Sequence, residues 1–240
     1  MKAQQRHQLK QNEFAATVAR VTTGVVENRD RIVGATIAGI VLIAIAGGLF
    51  YWSRHKNDKA SAMYGVAVTI QEAPIVPPPT VPGAKQAPGT YPTAQARQEA
   101  ALQAFQQAAA AYPSAPDGLA SAYQAAGVLV GLGRLAEAEK TYADVIARAG
   151  SSPYGVFARM GLAETLVAEG QYDRAVKEYT DLSAQRDGPL PVDGVLMQLA
   201  RTYVKAGKTS EARAAFKRVV DEFPESAFVS EARQQITQLG

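Results

Sequence analysis

The sequence predicts an all-α protein in which one transmembrane helix is followed by a helical-repeat solenoid with a 37-residue period. Three observations carry this prediction. Ile32 to Trp52 is an apolar run without a charge. Glycine, alanine and aromatic residues recur 37 positions apart through the C-terminal half. Of 240 residues, 47% are hydrophobic but only 8% aromatic, the balance of an alanine-rich helical build.

Residues 1–31 form a basic tail carrying Lys2, Arg6, Lys10, Arg20, Arg29 and Arg31. Within it Phe14, Val18, Val21 and Val25 recur at i, i+4, i+7 and i+11, which predicts an amphipathic helix lying on a membrane surface. Residues 32–52 then read IVGATIAGIVLIAIAGGLFYW. At about 1.5 Å per residue this run spans about 30 Å, the thickness of the bilayer hydrocarbon. A buried core helix would show a polar stripe, and Tyr51 and Trp52 stand where an interfacial aromatic belt belongs. The run is also longer than the apolar core of a cleaved signal peptide, so a signal anchor fits better. Six cations precede the span, whereas Arg54, Lys56 and Lys59 follow it. The excess places the N-terminus in the cytoplasm and the C-terminal domain outside. Ala35 with Gly39, and Ala44 with Gly48, are small-xxx-small pairs that permit close approach of a second helix.

Residues 53–72 are expected to form a juxtamembrane helix with Tyr64, Ala67 and Val68 on one side. Residues 73–92, APIVPPPTVPGAKQAPGTYP, hold seven prolines in twenty positions. Proline supplies no amide donor, so this stretch is expected to be an extended, semi-rigid linker.

The repeats occupy residues 93–240. Gly133, Gly170 and Gly207 are 37 apart, as are Ala138, Ala175 and Ala212, and Tyr142, Tyr179 and Phe216. Ala126, Ala163 and Ala200 stand seven before the glycines. Ala101 and Phe105 extend the series one period backwards, with Ala96 in place of the glycine. Such self-similarity means stacked units, none able to bury its own apolar face. Each glycine ends a helix in the left-handed conformation, a short turn makes the next helix antiparallel, the alanines admit close crossing, and the aromatic fills the joint. Pro153, Pro189 and Pro224 are expected to open the helices that follow. The first copy lacks its first helix, for which 56–72 is the candidate, and 226–239 is expected to cap the array. These landmarks resemble the tetratricopeptide repeat family, stretched here from about 34 residues.

That resemblance implies a partner-binding groove lined by the first helix of each pair. The position ten before each glycine holds Tyr123, Met160 and Met197; the position six before holds Gly127, Glu164 and Arg201. The family's Lys and Asn clamp for C-terminal carboxylates is absent. An apolar, methionine-containing surface remains, adaptable to varied partners, although the same side chains could simply pack between repeats.

Other chemistries find little support. The sequence has no cysteine, and its histidines, His7 and His55, flank the apolar run, so the repeats contain no imidazole. Residues 93–240 carry fifteen Lys/Arg against seventeen Asp/Glu, unlike a nucleic-acid footprint. Ala206 to Ser210, AGKTS, lacks the earlier glycine of a phosphate-binding loop, since Thr202 stands there. Glu164, Glu169 and Asp173 lie near Arg174 and Lys177 and suggest a salt-bridged surface rather than acid–base catalysis. No catalytic, cofactor-binding or metal-binding residue is expected.

The order of tail, span and repeats resembles the YfgM-like ancillary subunits of the SecYEG translocon, through HQLKQNEF (7–14), the span, KNDKASAMYGVAV (56–68) and the repeats. The resemblance implies a single-pass inner-membrane protein with a periplasmic repeat domain. It also implies a non-enzymatic, translocon-associated or chaperone-like adaptor that binds exported polypeptides. The alternative is a structural accessory subunit of another inner-membrane complex, held through its transmembrane helix. The Pro-rich insert departs from the family pattern.

Overall fold

A computed structural model describes residues 29–78 and 85–240, with side chains from Val33 onward. The amphipathic helix expected around Phe14, Val18, Val21 and Val25 lies outside the described residues. The chain divides into two compact units, Met1–His55 and Lys56–Gly240.

In the first unit the described residues form a single helix, α1 (Arg29–Gln71), which continues into the second. The two helices expected over 32–52 and 53–72 are therefore one, because no proline interrupts the chain before Pro74. From Val33 to Trp52 the large apolar side chains are exposed all round, so this stretch is not a buried core helix. The helix is long and apolar enough to cross a membrane. At the far end of the apolar run, the Arg54 guanidinium lies 5.4 Å from the Phe50 ring centre and Tyr51 stacks on His55 at 6.3 Å.

The second unit holds eight more helices among the described residues: α2 (Ala94–Ala111), α3 (Pro116–Gly131), α4 (Leu135–Ala149), α5 (Pro153–Ala168), α6 (Tyr172–Ser183), α7 (Val192–Lys205), α8 (Thr209–Glu222) and α9 (Val229–Gln238). From α2 onward each helix packs on its chain neighbours, and α3 also touches α5, so first helices of successive repeats adjoin. α9 packs on α8 at the C-terminal end of the array.

The repeat glycines share one stop signal. Gly133, Gly170 and Gly207 adopt φ of 74°, 74° and 72°. In each copy the glycine N–H donates to a carbonyl three residues back, and the next N–H to one five back: Arg134 to Leu129, Gln171 to Leu166, Lys208 to Tyr203, at 2.8–2.9 Å. This is a Schellman cap, which satisfies orphan carbonyls and turns the chain within two residues. Beyond it Ala138, Ala175 and Ala212 are buried at the crossings, with Tyr142, Tyr179 and Phe216 buried one turn later. Ala126, Ala163 and Ala200 face them from the preceding helix, also buried.

The inter-repeat turns differ from expectation. Pro116 and Pro153 open α3 and α5, but Pro189 and Pro224 lie in turns ahead of α7 and α9. The α6–α7 loop, 184–191, is eight residues long, against three for 150–152. The short loops bring backbone against backbone. A Cβ on Gly118 would meet the Tyr112 carbonyl oxygen at 1.7 Å, and one on Gly155 the Gly150 oxygen at 2.0 Å. One period on, where the loop is long, the same position accepts Val192.

The C-terminal part of α1 packs in this unit. Ala60 and Ala67 are buried, the Tyr64 ring lies 5.9 Å from Phe105, and the Ser61 hydroxyl donates to the Asp117 carboxylate. These contacts pack the end of α1 against α2 and α3. The described ends of the Pro-rich stretch, 73–78 and 85–92, contact each other. The Val76 N–H donates to the Tyr91 carbonyl at 2.9 Å, and the Tyr91 N–H to the Pro74 carbonyl at 3.0 Å. Gln86 Nε2 reaches the Val76 carbonyl at 3.0 Å, and Arg97 donates to the Ala73 carbonyl at 3.2 Å. The donors are residues that are not proline, and they pin the two ends of the insert together.

Candidate functional site

The side chains expected to line a groove lie on α3, α5 and α7, and the tertiary structure sorts them. Tyr123 is half-buried, its ring 5.9 Å from Tyr142 and 6.4 Å from Phe157, within an aromatic row between repeats. Met160 is half-buried one repeat on. Met197 is only 1% exposed and serves the core. Arg201 is held by the capping helix: its Nη2 lies 2.7 Å and 2.9 Å from the Glu231 carboxylate oxygens and its Nε 3.2 Å from one of them. Gly127 leaves its position open, with Tyr142 Oη 3.8 Å from where a Cβ would stand.

Glu164 differs from every other acidic residue singled out in the sequence. Asp173 pairs with Lys208 at 2.6 Å, Arg174 reaches across repeats to Glu139 at 2.6 Å, and Glu169 accepts from Gln171. The expected salt-bridged surface is built from these and bypasses Glu164, which has no hydrogen bond or ion pair among the described residues. Its neighbours at helical spacing are Met160, Gly161, Val167 and Ala168, none of them a cation. The side chain reaches solvent, yet the protein around it strips enough water to raise its pKa. Burial also raises the pKa of Tyr123, Tyr142 and Tyr179, with the charge of Glu164 adding to each, so these hydroxyls stay protonated and neutral.

Glu164 lines one of two adjoining cavities. A cleft of about 280 Å³ runs between α5 and α7, lined by Glu164, Val167, Tyr179, Gln198, Arg201 and Lys205 among others. A second space of about 210 Å³ is walled by Met160, Leu190, Val195, Met197 and Phe228, and it shares Gln198 and Arg201 with the first. One is charged and the other apolar.

Gly161, one turn before Glu164 on the same helix, is invisible to the periodic pattern, because Gln124 and Gln198 stand at the equivalent positions. A Cβ there would lie 2.5 Å from Tyr142 Cζ. Its absence lets the Tyr142 ring lie against α5, one turn before Glu164. Ala206 to Ser210 forms a helix stop and start: Gly207 is the cap residue, Lys208 is paired with Asp173, and Thr209 opens α8. Among the described residues, no three or more His, Asp or Glu side chains converge as metal ligands would.

Comparison with known proteins bears on the fold. The chain is similar to nearly identical kinesin light chain TPR-like repeats from Podosopora anserina, at 17% identity over 76% of this chain and 86% of that one, TM-score 0.56. It is similar to a tetratricopeptide repeat protein of Parabacteroides merdae at 14% identity over 60% and 54%, TM-score 0.50. The apo form of RapI matches at 11% identity over 61% and 44%, TM-score 0.52. No curated protein matches the chain. The tetratricopeptide repeat-like domain matches residues 26–239, nearly the whole sequence. Such a fold is typically a non-catalytic scaffold for binding other proteins, and no enzymatic family is indicated. On the continuity of that match and the repeated caps and crossings, the chain belongs to the tetratricopeptide repeat-like domain family.

Proposed function

We propose that the protein is a membrane-anchored protein–protein interaction module, an adaptor that holds a polypeptide-binding repeat face beside a bilayer. The observation that carries this reading is the pair of adjoining cavities on the first-helix face, one apolar and one holding an unpaired carboxylate. The bare apolar stretch of α1 supports the anchor. The cation excess before the span favours a cytoplasmic N-terminus and an extracytoplasmic repeat unit. On that topology the clients are exported polypeptides, and a translocon in the inner membrane is the natural neighbour of the span.

The test is crosslinking in native membranes, with one photoreactive residue in place of Met160 and another in the span at Ile40. The adaptor reading expects different partners at the two positions, with unfolded exported chains at Met160. Capture of the same single partner at both sites, and no client at Met160, overturns it.

One observation favours a second reading, that of a structural accessory subunit. Met197 is buried and Arg201 is engaged by Glu231, so part of the expected groove is closed by the protein itself. Replacing Ile32 to Trp52 by an unrelated span separates the two. Loss of assembly into a larger complex supports the subunit; retained client binding supports the adaptor.

A further inference from the structure

We propose that the cleft between α5 and α7 recognises a polypeptide segment bearing a lysine or arginine two residues from a bulky apolar side chain. The cation sets against Glu164, and the apolar group enters the pocket of Met160, Leu190 and Phe228. The proposal rests on the reading that this face binds polypeptide, and adds the chemistry it selects.

Charge complementarity argues for the cation. Around the two cavities most other charges are paired: Arg201 with Glu231, Arg159 with Glu178 at 3.8 Å, and Asp193 with the Ser226 hydroxyl at 2.6 Å. Lys205, the last residue of α7, also lines the charged cleft but is absent from the apolar pocket, which Arg201, one turn earlier on α7, reaches. Among the described residues that line the two cavities, Glu164 is the one carboxylate, it is unpaired, and the surrounding protein removes part of its hydration. A carboxylate in that condition gains more from an incoming cation than a fully hydrated one, because its desolvation is already paid and the local dielectric is lower. The same charge disfavours an acidic segment. The tyrosine hydroxyls around it are neutral and compensate nothing.

Spacing follows from the two periodicities. Glu164 and Met160 are one helical turn apart on α5, about 6 Å along its axis. An extended chain advances about 3.3 Å per residue and points alternate side chains the same way. Side chains two apart in an extended ligand therefore match the two cavities, and adjacent ones point to opposite sides.

The test uses the full chain in phosphatidylcholine nanodiscs, whose neutral surface does not itself attract basic peptides. Labelled Gly-Ser peptides with a Lys-Ser-Leu, Glu-Ser-Leu or Lys-Leu core are titrated by fluorescence anisotropy. Lys-Ser-Leu is expected to bind about tenfold tighter than Glu-Ser-Leu, the factor corresponding to about 1.4 kcal/mol, and tighter than Lys-Leu. Glu164→Gln brings the first two to within about twofold, and Glu164→Lys inverts their order. Met160→Ala weakens Lys-Ser-Leu while keeping the preference for the cation. Both Glu164 variants are checked for unchanged circular dichroism, which an exposed residue without partners should preserve. Equal binding of the peptides, still weakened by Met160→Ala, overturns the charge selection and leaves the interaction module standing. Binding of none overturns both.

Discussion

Gly155→Ala is the substitution for which the structure makes the sharpest demand. An added Cβ would sit 2.0 Å from the Gly150 carbonyl oxygen and 3.0 Å from its carbon. That is ~1.5 Å inside ordinary contact, and the opposing atoms are backbone, which cannot rotate away. The three-residue loop 150–152 leaves no slack, so α5 must move off α4 or its first turn must unwind. Overpacking of this kind costs roughly 1–3 kcal/mol or more, against a gain of up to about 1 kcal/mol from replacing glycine in a helix. A net loss of about 2 kcal/mol corresponds to a fall of roughly 4–8 °C in Tm for a domain of this size. Thermal unfolding of the detergent-solubilised protein, followed by circular dichroism, measures it. Gly127→Ala is the control, because its Cβ meets only Tyr142 Oη, at 3.8 Å; it should stabilise by about 0.5–1 kcal/mol. A further check lengthens the 150–152 loop to the eight residues of 184–191, which should relieve most of the Gly155→Ala penalty. If Gly155→Ala unfolds at or above the wild-type temperature, the crowding explanation for Gly118 and Gly155 fails.

The folded-state pKa of Glu164 is raised above its ordinary value of 4.5, so the folded protein holds that proton more tightly than the unfolded chain. Its ionisation therefore erodes stability as pH rises through the window above 4.5, and the erosion persists at neutral pH. Glu164→Gln should accordingly gain on the wild type in urea-unfolding midpoint between about pH 4 and about pH 8; a constant difference would contradict this. Arg174→Ala breaks the 2.6 Å contact with Glu139, but Arg174 is 54% exposed, so the loss should stay under about 1 kcal/mol and shrink in high salt. A larger loss, measured by the same unfolding, would mean that the ladder of inter-repeat ion pairs acts cooperatively. Val76→Pro removes the N–H that donates to Tyr91 at the base of the Pro-rich loop. Proteolysis within 74–91 should accelerate while Tm falls by no more than the value of one hydrogen bond, about 0.5–1.5 kcal/mol; unchanged cleavage would show that the loop is held by other contacts.

Much of the fold is legible because a repeat writes its packing rules several times. Gly133, Gly170 and Gly207 stop helices by backbone conformation, a local property that only glycine meets without strain, and their common spacing from the buried alanines and aromatics reports the helix crossing. The same period leads one to expect a last helix over 226–239, and residues 229–238 are helical and pack on α8. The candidate site is less legible, because it depends on where the repeats differ. Gly161 matters only because Tyr142 of the preceding pair leans on it, and its counterparts are glutamines.

The 37-residue period, the glycine stops and the apolar run thus determined the helices, their order and the family-like stacking from local chemistry alone. Tertiary structure decided which side chains on the shared face remain available. Met197 is buried, Arg201 is taken by a glutamate thirty residues further along, and Glu164 is left unpaired beside an apolar pocket. It also decided that Val76 and Tyr91, far apart in the Pro-rich stretch, pair through their backbones. Pairing and desolvation are relations between distant residues, which a periodic sequence does not encode.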